Sequence, residues 1–146
     1  MLIPSYSLQH KGKKVVLVGG CFDILHKGHL VFLEAAKKQG DILVVALESD
    51  EFIRVHKKRE PVHSQKDRAL LLQSLKAVDE VIPLPYFSSY SDYEQLVQKI
   101  RPTIIAITEN DPHHKEKEQQ AQAIGASCIV VTPLVPGYST TTILNN

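Results

Sequence analysis

Residues 15–29 read VVLVGGCFDILHKGH, and this stretch decides the fold. Its first four residues form a continuous apolar run, which Gly19 and Gly20 close. An apolar run without polar alternation is typical of a strand buried on both faces of a parallel sheet. Residues 28–39 then carry good helix formers with apolar positions three or four apart, and Gly40 marks a stop. The stretch therefore predicts a strand that leads directly into a helix.

The rest of the chain repeats this alternation. Apolar runs predict strands over 42–47, 80–83, 104–107 and 129–132, and helical patterns cover 50–55, 65–77, 92–100, 114–124 and a segment from about Thr140. Such alternation predicts the α/β class, with a Rossmann-like doubly wound parallel sheet of about five strands in a three-layer α/β/α arrangement. The length of 146 residues fits one domain, with residues 1–12 as an irregular lead-in. Ligands of such sheets bind beyond the carboxyl ends of the strands, where the strand order switches.

Charge and cysteine content exclude several classes of protein. Lys and Arg number 17 against 16 Asp and Glu, so the chain lacks the basic excess that coating nucleic acid or an anionic membrane requires. No apolar run is long enough to span a membrane, and the first residues do not resemble a signal peptide. Cys21 and Cys128 form no CxxC pair, so we expect neither a disulfide nor a cysteine zinc site. These features predict a cytoplasmic protein without nucleic-acid or membrane partners.

His26 and His29 stand three residues apart at the predicted start of a helix. In a first helical turn this spacing places both imidazoles on one side, near N–H groups at the positive end of the helix dipole. Gly28 leaves room for a ligand to approach the backbone. The pattern predicts an anion pocket suited to a triphosphate. Two other interpretations stay open: a pair of surface histidines, or metal ligands with Asp23 as the one nearby carboxylate.

As a unit, GGCFDILHKGH (residues 19–29) resembles the GxFDxxHxGH signature of the cytidylyltransferase-like nucleotidyltransferases. The resemblance extends from about residue 14 to residue 144. It includes a basic loop over 57–59, Arg68 on the following helix, VDEV at 78–81 and GYSTTTI at 137–143. It implies an enzyme that transfers a nucleoside monophosphate from an NTP to a phosphorylated small molecule and releases pyrophosphate. It also suggests a homodimer.

The resemblance further implies roles for individual residues. Two histidines would donate hydrogen bonds to the phosphates, and a basic side chain would neutralise the α-phosphate and the acceptor phosphate. Mg²⁺ would accompany the NTP, held mainly by its phosphates, with no metal ligands from the protein. The implied catalytic residues are His26, His29, Lys57 and Arg59; the nucleotide-binding residues are Gly20, Cys21, Phe22, Gly28, Arg68, Glu109, Asn110, Gly137, Ser139, Thr140 and Thr141; and the acceptor-binding residues are Asp23 and Lys58.

The base and the acceptor stay open between two branches of this family. The run GCFDILH and the Pro-Val pair at 61–62 favour the adenylyltransferase domain of ADP-heptose synthesis, which acts on a heptose-type sugar phosphate. The alternative is a glycerol-3-phosphate-type cytidylyltransferase, although Leu134 stands where that branch has an arginine. Residues 108–111 read TEND where the heptose branch has Gly-Gly-Asp. A non-catalytic nucleotide-binding module, and a metal or redox protein using His26, His29 and Cys21, are the remaining hypotheses.

Overall fold

A computed structural model describes residues 10–132 of the chain. Five strands alternate with helices: β1 (Val15–Gly20), β2 (Ile42–Leu47), β3 (Glu80–Pro83), β4 (Ile104–Thr108) and β5 (Ser127–Thr132). The helices are α1 (Lys27–Lys37), α2 (Asp50–Lys57), α3 (Gln65–Gln73), α4 (Tyr90–Ile100) and α5 (His114–Ala123). The predicted alternation is confirmed. The last predicted helix, near Thr140, and most of the lead-in lie outside the described residues.

The five strands form one sheet in the order β3-β2-β1-β4-β5, and each neighbouring pair is parallel. Side chains of alternate strand residues enter two separate cores. One core holds Phe32, Leu33 and Ala36 of α1 with Ala69 and Leu72 of α3. The other holds Leu96, Val97 and Ile100 of α4 with Ala121 of α5. Helices thus cover both faces of the sheet, which confirms the predicted three-layer doubly wound fold.

The strand order reverses between β1 and β4, and here the sheet opens toward its carboxyl edge. β1 pairs with β2 along its whole length, from Val15 to Gly20. It pairs with β4 only at Val16 and Leu17. Beyond Leu17 the two strands are no longer paired by backbone hydrogen bonds, so a gap lies between their carboxyl ends. The gap lies at the switch in strand order, where ligands of open α/β sheets bind.

Candidate active site

A cavity of about 690 Å³ occupies this carboxyl edge. Its wall includes the end of β1 and the start of α1, the end of α2, the segment before α4 and the loop between β4 and α5. A smaller cavity of about 170 Å³ continues between the ends of β1 and β4. The predicted motifs at 19–29 and 57–59 therefore face one shared space.

Phe22 explains part of the glycine pattern in the first motif. Its backbone adopts a left-handed conformation, with φ of +46°, and its ring turns back over Gly20. A Cβ atom at Gly20 would lie 2.9 Å from Cε2 of Phe22, so a larger residue would displace the ring. The ring centroid of Phe22 lies 5.0 Å from that of His29. Phe22 thus packs against His29, and Gly20 leaves the space that the Phe22 ring occupies.

His26 and His29 lie side by side at the start of α1. Their rings are stacked, with centroids 3.7 Å apart, and Nδ1 of His29 accepts a hydrogen bond from the backbone N–H of His26 at 3.3 Å. Burial, together with the neighbouring His26, lowers the pKa of His29 to about 4, and burial also lowers the pKa of His26. A neutral imidazole that accepts at Nδ1 carries its proton at Nε2. His29 therefore keeps one N–H donor at neutral pH.

The basic loop begins where α2 ends. Lys58 takes a left-handed conformation, with φ of +59°, and so turns the chain sharply after the helix. This turn directs Arg59 inward, where its Nη1 donates to Oδ2 of Asp23 at 2.6 Å. Lys57 and Arg59 both line the cavity. Lys58 is exposed and does not line it, so its predicted contact with the acceptor is not supported by its position.

Asp23 lines the cavity, but its carboxylate is bonded within the protein, which does not support its predicted contact with the acceptor. Its carboxylate is 1% exposed and accepts from the backbone N–H groups of Val62 and His63 as well as from Arg59. Burial raises the pKa of Asp23, but these hydrogen bonds outweigh the burial and bring the pKa below its ordinary value. Because the protein itself occupies both oxygens, Asp23 fixes the basic loop against the first motif.

Arg68 also lies elsewhere than predicted. Its side chain is wholly buried and does not line the cavity, so its position does not support the expected contact with the phosphates. The guanidinium instead donates to the carbonyls of Cys21, Glu48 and His63 and to the carboxylate of Asp50, over 2.7–3.0 Å. It thereby joins the segments that follow β1 and β2 to the basic loop. Its role here is structural, since its donors point into the protein.

Cys21 lines the cavity, but its thiol is poorly suited to nucleophilic chemistry. Burial is the main reason that the pKa of Cys21 rises to about 11. The thiolate is the reactive form of cysteine, and it is scarce at neutral pH when the pKa is so high. This observation disfavours a redox role for Cys21. Among residues 10–132, moreover, no cluster of three or more His, Cys, Asp or Glu side chains could hold a metal ion.

The segment after β4 and the helix that follows it supply other residues to the cavity than those predicted. Glu109 and Asn110, which we expected to contact the nucleotide, are exposed and do not line the cavity. Their neighbour Asp111 does line it, and its carboxylate accepts from Nζ of Lys117 at 2.7 Å. Lys117 lines both cavities. It is a further cation at the β1–β4 gap, and its position on a polar helix gave no signal in the sequence.

A second group lies at the end of β2, where the fold brings together Glu48 and Tyr93, a pairing that the sequence did not reveal. Glu48 and Tyr93 line the cavity, and the Tyr93 hydroxyl donates to Oε2 of Glu48 at 2.8 Å. Aromatic rings surround the same part of the cavity, with Phe87 packed edge-on against Tyr93 and Phe52 lining the α2 side. Apart from the Glu48 carboxylate and the Tyr93 hydroxyl, this wall is aromatic, whereas the β1–β4 gap is lined by the histidines and Lys117. The cavity therefore has two chemically different halves.

Four predicted nucleotide-binding residues, Gly137, Ser139, Thr140 and Thr141, lie outside the described part of the chain, as does Leu134. Gly28 lies in the first turn of α1 and lines the cavity beside the two histidines.

No helix among residues 10–132 is both long and apolar enough to cross a membrane.

Comparisons with known proteins identify the family. The chain is 54% identical over 98 residues to an FAD synthase of Thermococcus onnurineus, a match that covers 65% of this chain and 62% of that protein. It is 39% identical over 142 residues to the bifunctional protein HldE of Helicobacter pylori, covering 94% of this chain but only 28% of that protein. The chain thus spans less than two thirds of the length of either relative.

Solved structures and a family model agree with these relatives. The lipopolysaccharide core biosynthesis protein of Thermoplasma volcanium matches with a TM-score of 0.67 and 28% identity, covering 85% of this chain and 98% of that one. Pantoate-beta-alanine ligase of Francisella tularensis, at 16% identity, shares the fold with a TM-score of 0.59 over 84% of this chain and 60% of that one. The cytidylyltransferase-like model matches residues 17–145. The chain therefore belongs to the cytidylyltransferase-like family of nucleotidyltransferases.

Proposed function

We propose that this protein transfers the adenylyl group of ATP to a phosphorylated small molecule. The observation that carries the proposal is the convergence of neutral histidine donors, the N-terminus of α1 and basic side chains on one cavity at the β1–β4 gap. A helix N-terminus with nearby N–H donors favours phosphate groups. Both named relatives, an FAD synthase and HldE, support an adenylyl rather than a cytidylyl donor.

The proposed reaction needs no general base, because a phosphate oxygen is already nucleophilic at neutral pH. An oxygen of the acceptor phosphate attacks the α-phosphorus of ATP and forms a new P–O bond. The bond from the α-phosphorus to the bridging oxygen breaks, and its electron pair leaves with pyrophosphate. Rate enhancement then comes from positioning and from stabilising charge on the phosphates. Mg²⁺ enters with ATP as its triphosphate complex.

Each residue at the cavity has a defined task in this scheme. Nε2–H of His29 donates to the phosphate chain, and His26 lies beside it on the same helix turn. Arg59, which Asp23 holds in place, and Lys57 neutralise the acceptor phosphate and the α-phosphate. Lys117 can exchange its bond with Asp111 for a bond to a phosphate oxygen. Removal of one such donor typically slows a reaction about 10²–10³-fold.

FMN is the acceptor that we favour. FAD consists of FMN joined to an adenylyl group, so the FAD synthase relative points to FMN adenylylation. The aromatic half of the cavity, with Phe52, Phe87, Tyr90 and Tyr93, offers flat surfaces for an aromatic ring system. A sugar phosphate of the heptose type is the second candidate, because the HldE match extends over 94% of this chain.

The test is a pyrophosphate-release assay with MgATP and, separately, MgCTP. Each nucleotide is combined with FMN, a heptose phosphate or glycerol 3-phosphate, and the products are separated by chromatography. We expect FAD and pyrophosphate in equal amounts from ATP and FMN. Product from ATP and the heptose phosphate would favour the second candidate, and product from CTP alone would refute adenylyl transfer. If no combination releases pyrophosphate although ATP binds, the enzymatic proposal fails.

A further inference from the structure

Glu48 occupies a fixed position at the aromatic half of the cavity, where we place the acceptor. Its backbone N–H donates to the carbonyl of Gly20 at 3.0 Å, and its own carbonyl accepts from Nη1 of Arg68 at 2.9 Å. These bonds hold the main chain directly beyond the end of β2, so the side chain extends from a rigid point. Glu48 is 8% exposed, yet it lines the cavity.

The two oxygens of the Glu48 carboxylate have different environments. Oε2 accepts the hydroxyl of Tyr93 at 2.8 Å, whereas Oε1 is buried and has no hydrogen-bond partner among the described residues. A buried carboxylate oxygen without a donor is costly, and native structures rarely keep one without a reason. Burial raises the pKa of Glu48, against the opposing effects of Tyr93, Lys117 and Arg68. The carboxylate therefore has room for one more donor at Oε1.

The position of Glu48 indicates which substrate would supply that donor. β1 lies between β2 and β4 in the sheet, so Glu48 is separated by one strand from the β1–β4 gap. It lies two residues before α2, the helix that ends at Lys57 and leads to Arg59. A carboxylate only accepts hydrogen bonds, so its partner must carry an O–H or N–H group. Hydroxyl groups are present both in the ribityl chain of FMN and in sugar phosphates.

We propose that Glu48, held by Tyr93, is a specificity-determining residue that binds a hydroxyl group of the acceptor through Oε1. This inference rests on the proposed adenylyl transfer and assigns the recognition of the acceptor to a residue outside the two basic motifs. Glu48 contacts the substrate, and Tyr93 is a positioning residue that acts through Glu48. When the acceptor binds, its hydroxyl group supplies the hydrogen-bond donor that Oε1 lacks among the described residues.

A purely structural Glu48 would respond differently to substitution. Glu48→Gln preserves the shape of the side chain and an oxygen for Tyr93, but removes the buried charge. If Glu48 served stability, Glu48→Gln would lower the free energy of unfolding and would not raise the KM of the acceptor more than the KM of ATP. If Glu48 serves binding, the variant is as stable as the wild type or more so, because residues kept for function often reduce stability. The KM of the acceptor then rises selectively.

The experiment uses wild type, Glu48→Gln, Tyr93→Phe and the control Glu34→Gln, which changes an exposed glutamate on α1 that does not line the cavity. The acceptor in the assay is FMN or the heptose phosphate, whichever the wild type uses. KM values for the acceptor and for ATP are measured separately. Urea unfolding gives the stability of each variant. Glu48→Gln is expected to raise the acceptor KM about tenfold or more, since a hydrogen bond to a charged group is lost, and to leave the KM of ATP nearly unchanged. Tyr93→Phe is expected to raise the acceptor KM about two- to tenfold.

Two results would overturn the proposal. One is an unchanged acceptor KM in Glu48→Gln. The other is an equal rise in both KM values together with a lower free energy of unfolding, which would assign Glu48 to stability. In both cases an active wild type leaves adenylyl transfer intact. A wild type that forms no product with any acceptor refutes adenylyl transfer and this inference together.

Discussion

Arg68→Lys separates a structural arginine from a phosphate ligand. The guanidinium of Arg68 makes four hydrogen bonds, to carbonyls of Cys21, Glu48 and His63 and to the carboxylate of Asp50. A lysine ammonium keeps the charge but donates from a single point, so it cannot reach three separate segments of chain. We expect at least two of these buried acceptors to lose their donor. Each loss costs about 1–3 kcal/mol, so the free energy of unfolding should fall by about 3 kcal/mol.

This loss is large compared with the whole stability of a domain, which is about 5–15 kcal/mol. Urea unfolding at neutral pH measures it, with ATP affinity determined on the same samples under conditions where each variant is folded. The matched control is Arg54→Lys, which changes an exposed arginine paired with Glu51 and Glu60 and should leave stability near that of the wild type. An Arg68→Lys variant with wild-type stability and much weaker ATP binding would refute the structural assignment.

Three further predictions concern residues around the cavity. Asp23→Asn should lower the free energy of unfolding by about 3 kcal/mol, because Arg59 and two backbone N–H groups lose a buried carboxylate. The same variant should reduce kcat/KM for the acceptor. Wild-type values in urea unfolding and in kinetics would contradict this prediction. Between its ordinary pKa of 6.5 and the folded value of about 4, His29 binds a proton mainly in the unfolded chain, so stability should fall by up to about 3 kcal/mol as pH drops through this window. Unfolding at pH 7 and pH 4.5 tests this, and His29→Asn should lose less stability over that range than the wild type. Gly40→Ala should lower the melting temperature, since its Cβ would lie 2.8 Å from both the Lys14 carbonyl and Cγ2 of Val16; an unchanged temperature would show that this turn can shift.

Local patterns in the sequence were sufficient to predict the sheet. The strand over 42–47 has the predicted bounds. Its apolar run is continuous, and the fold buries both sides of the strand under helices. Boundaries that depend on partners distant in sequence were less accurate. β5 begins at Ser127 rather than at residue 129, because Ser127 pairs with Ile104 of β4. α3 ends at Gln73 rather than at 77, because the chain after it forms tight turns onto the carbonyls of Leu71 and Leu72.

The candidate site was predictable only where one segment contains the chemistry. His26 and His29 are three residues apart, so their shared position at the start of α1 follows from helix geometry. Arg68 and Asp23 also depend on partners distant in sequence, since Cys21 lies 47 residues from Arg68 and His63 lies 40 residues from Asp23. A charged residue looks the same in sequence whether it faces a ligand or a buried carbonyl. The pair of Glu48 and Tyr93 is likewise formed only by the folded chain.

One measurement tests the central claim most directly, and it follows the label of ATP labelled at the α-phosphate. The ATP is mixed with Mg²⁺, with either the wild type or His29→Asn, and with FMN or, in separate samples, a heptose phosphate. The asparagine keeps an acceptor for the backbone N–H of His26, so the start of α1 should stay intact. We predict that label moves into FAD with the wild type, and that the variant, with an unchanged melting temperature, transfers it about 10²–10³-fold more slowly. Equal rates in the two proteins would contradict the assignment of the site. Label that stays in ATP or appears only as free AMP, with FMN and with a heptose phosphate alike, would contradict adenylyl transfer.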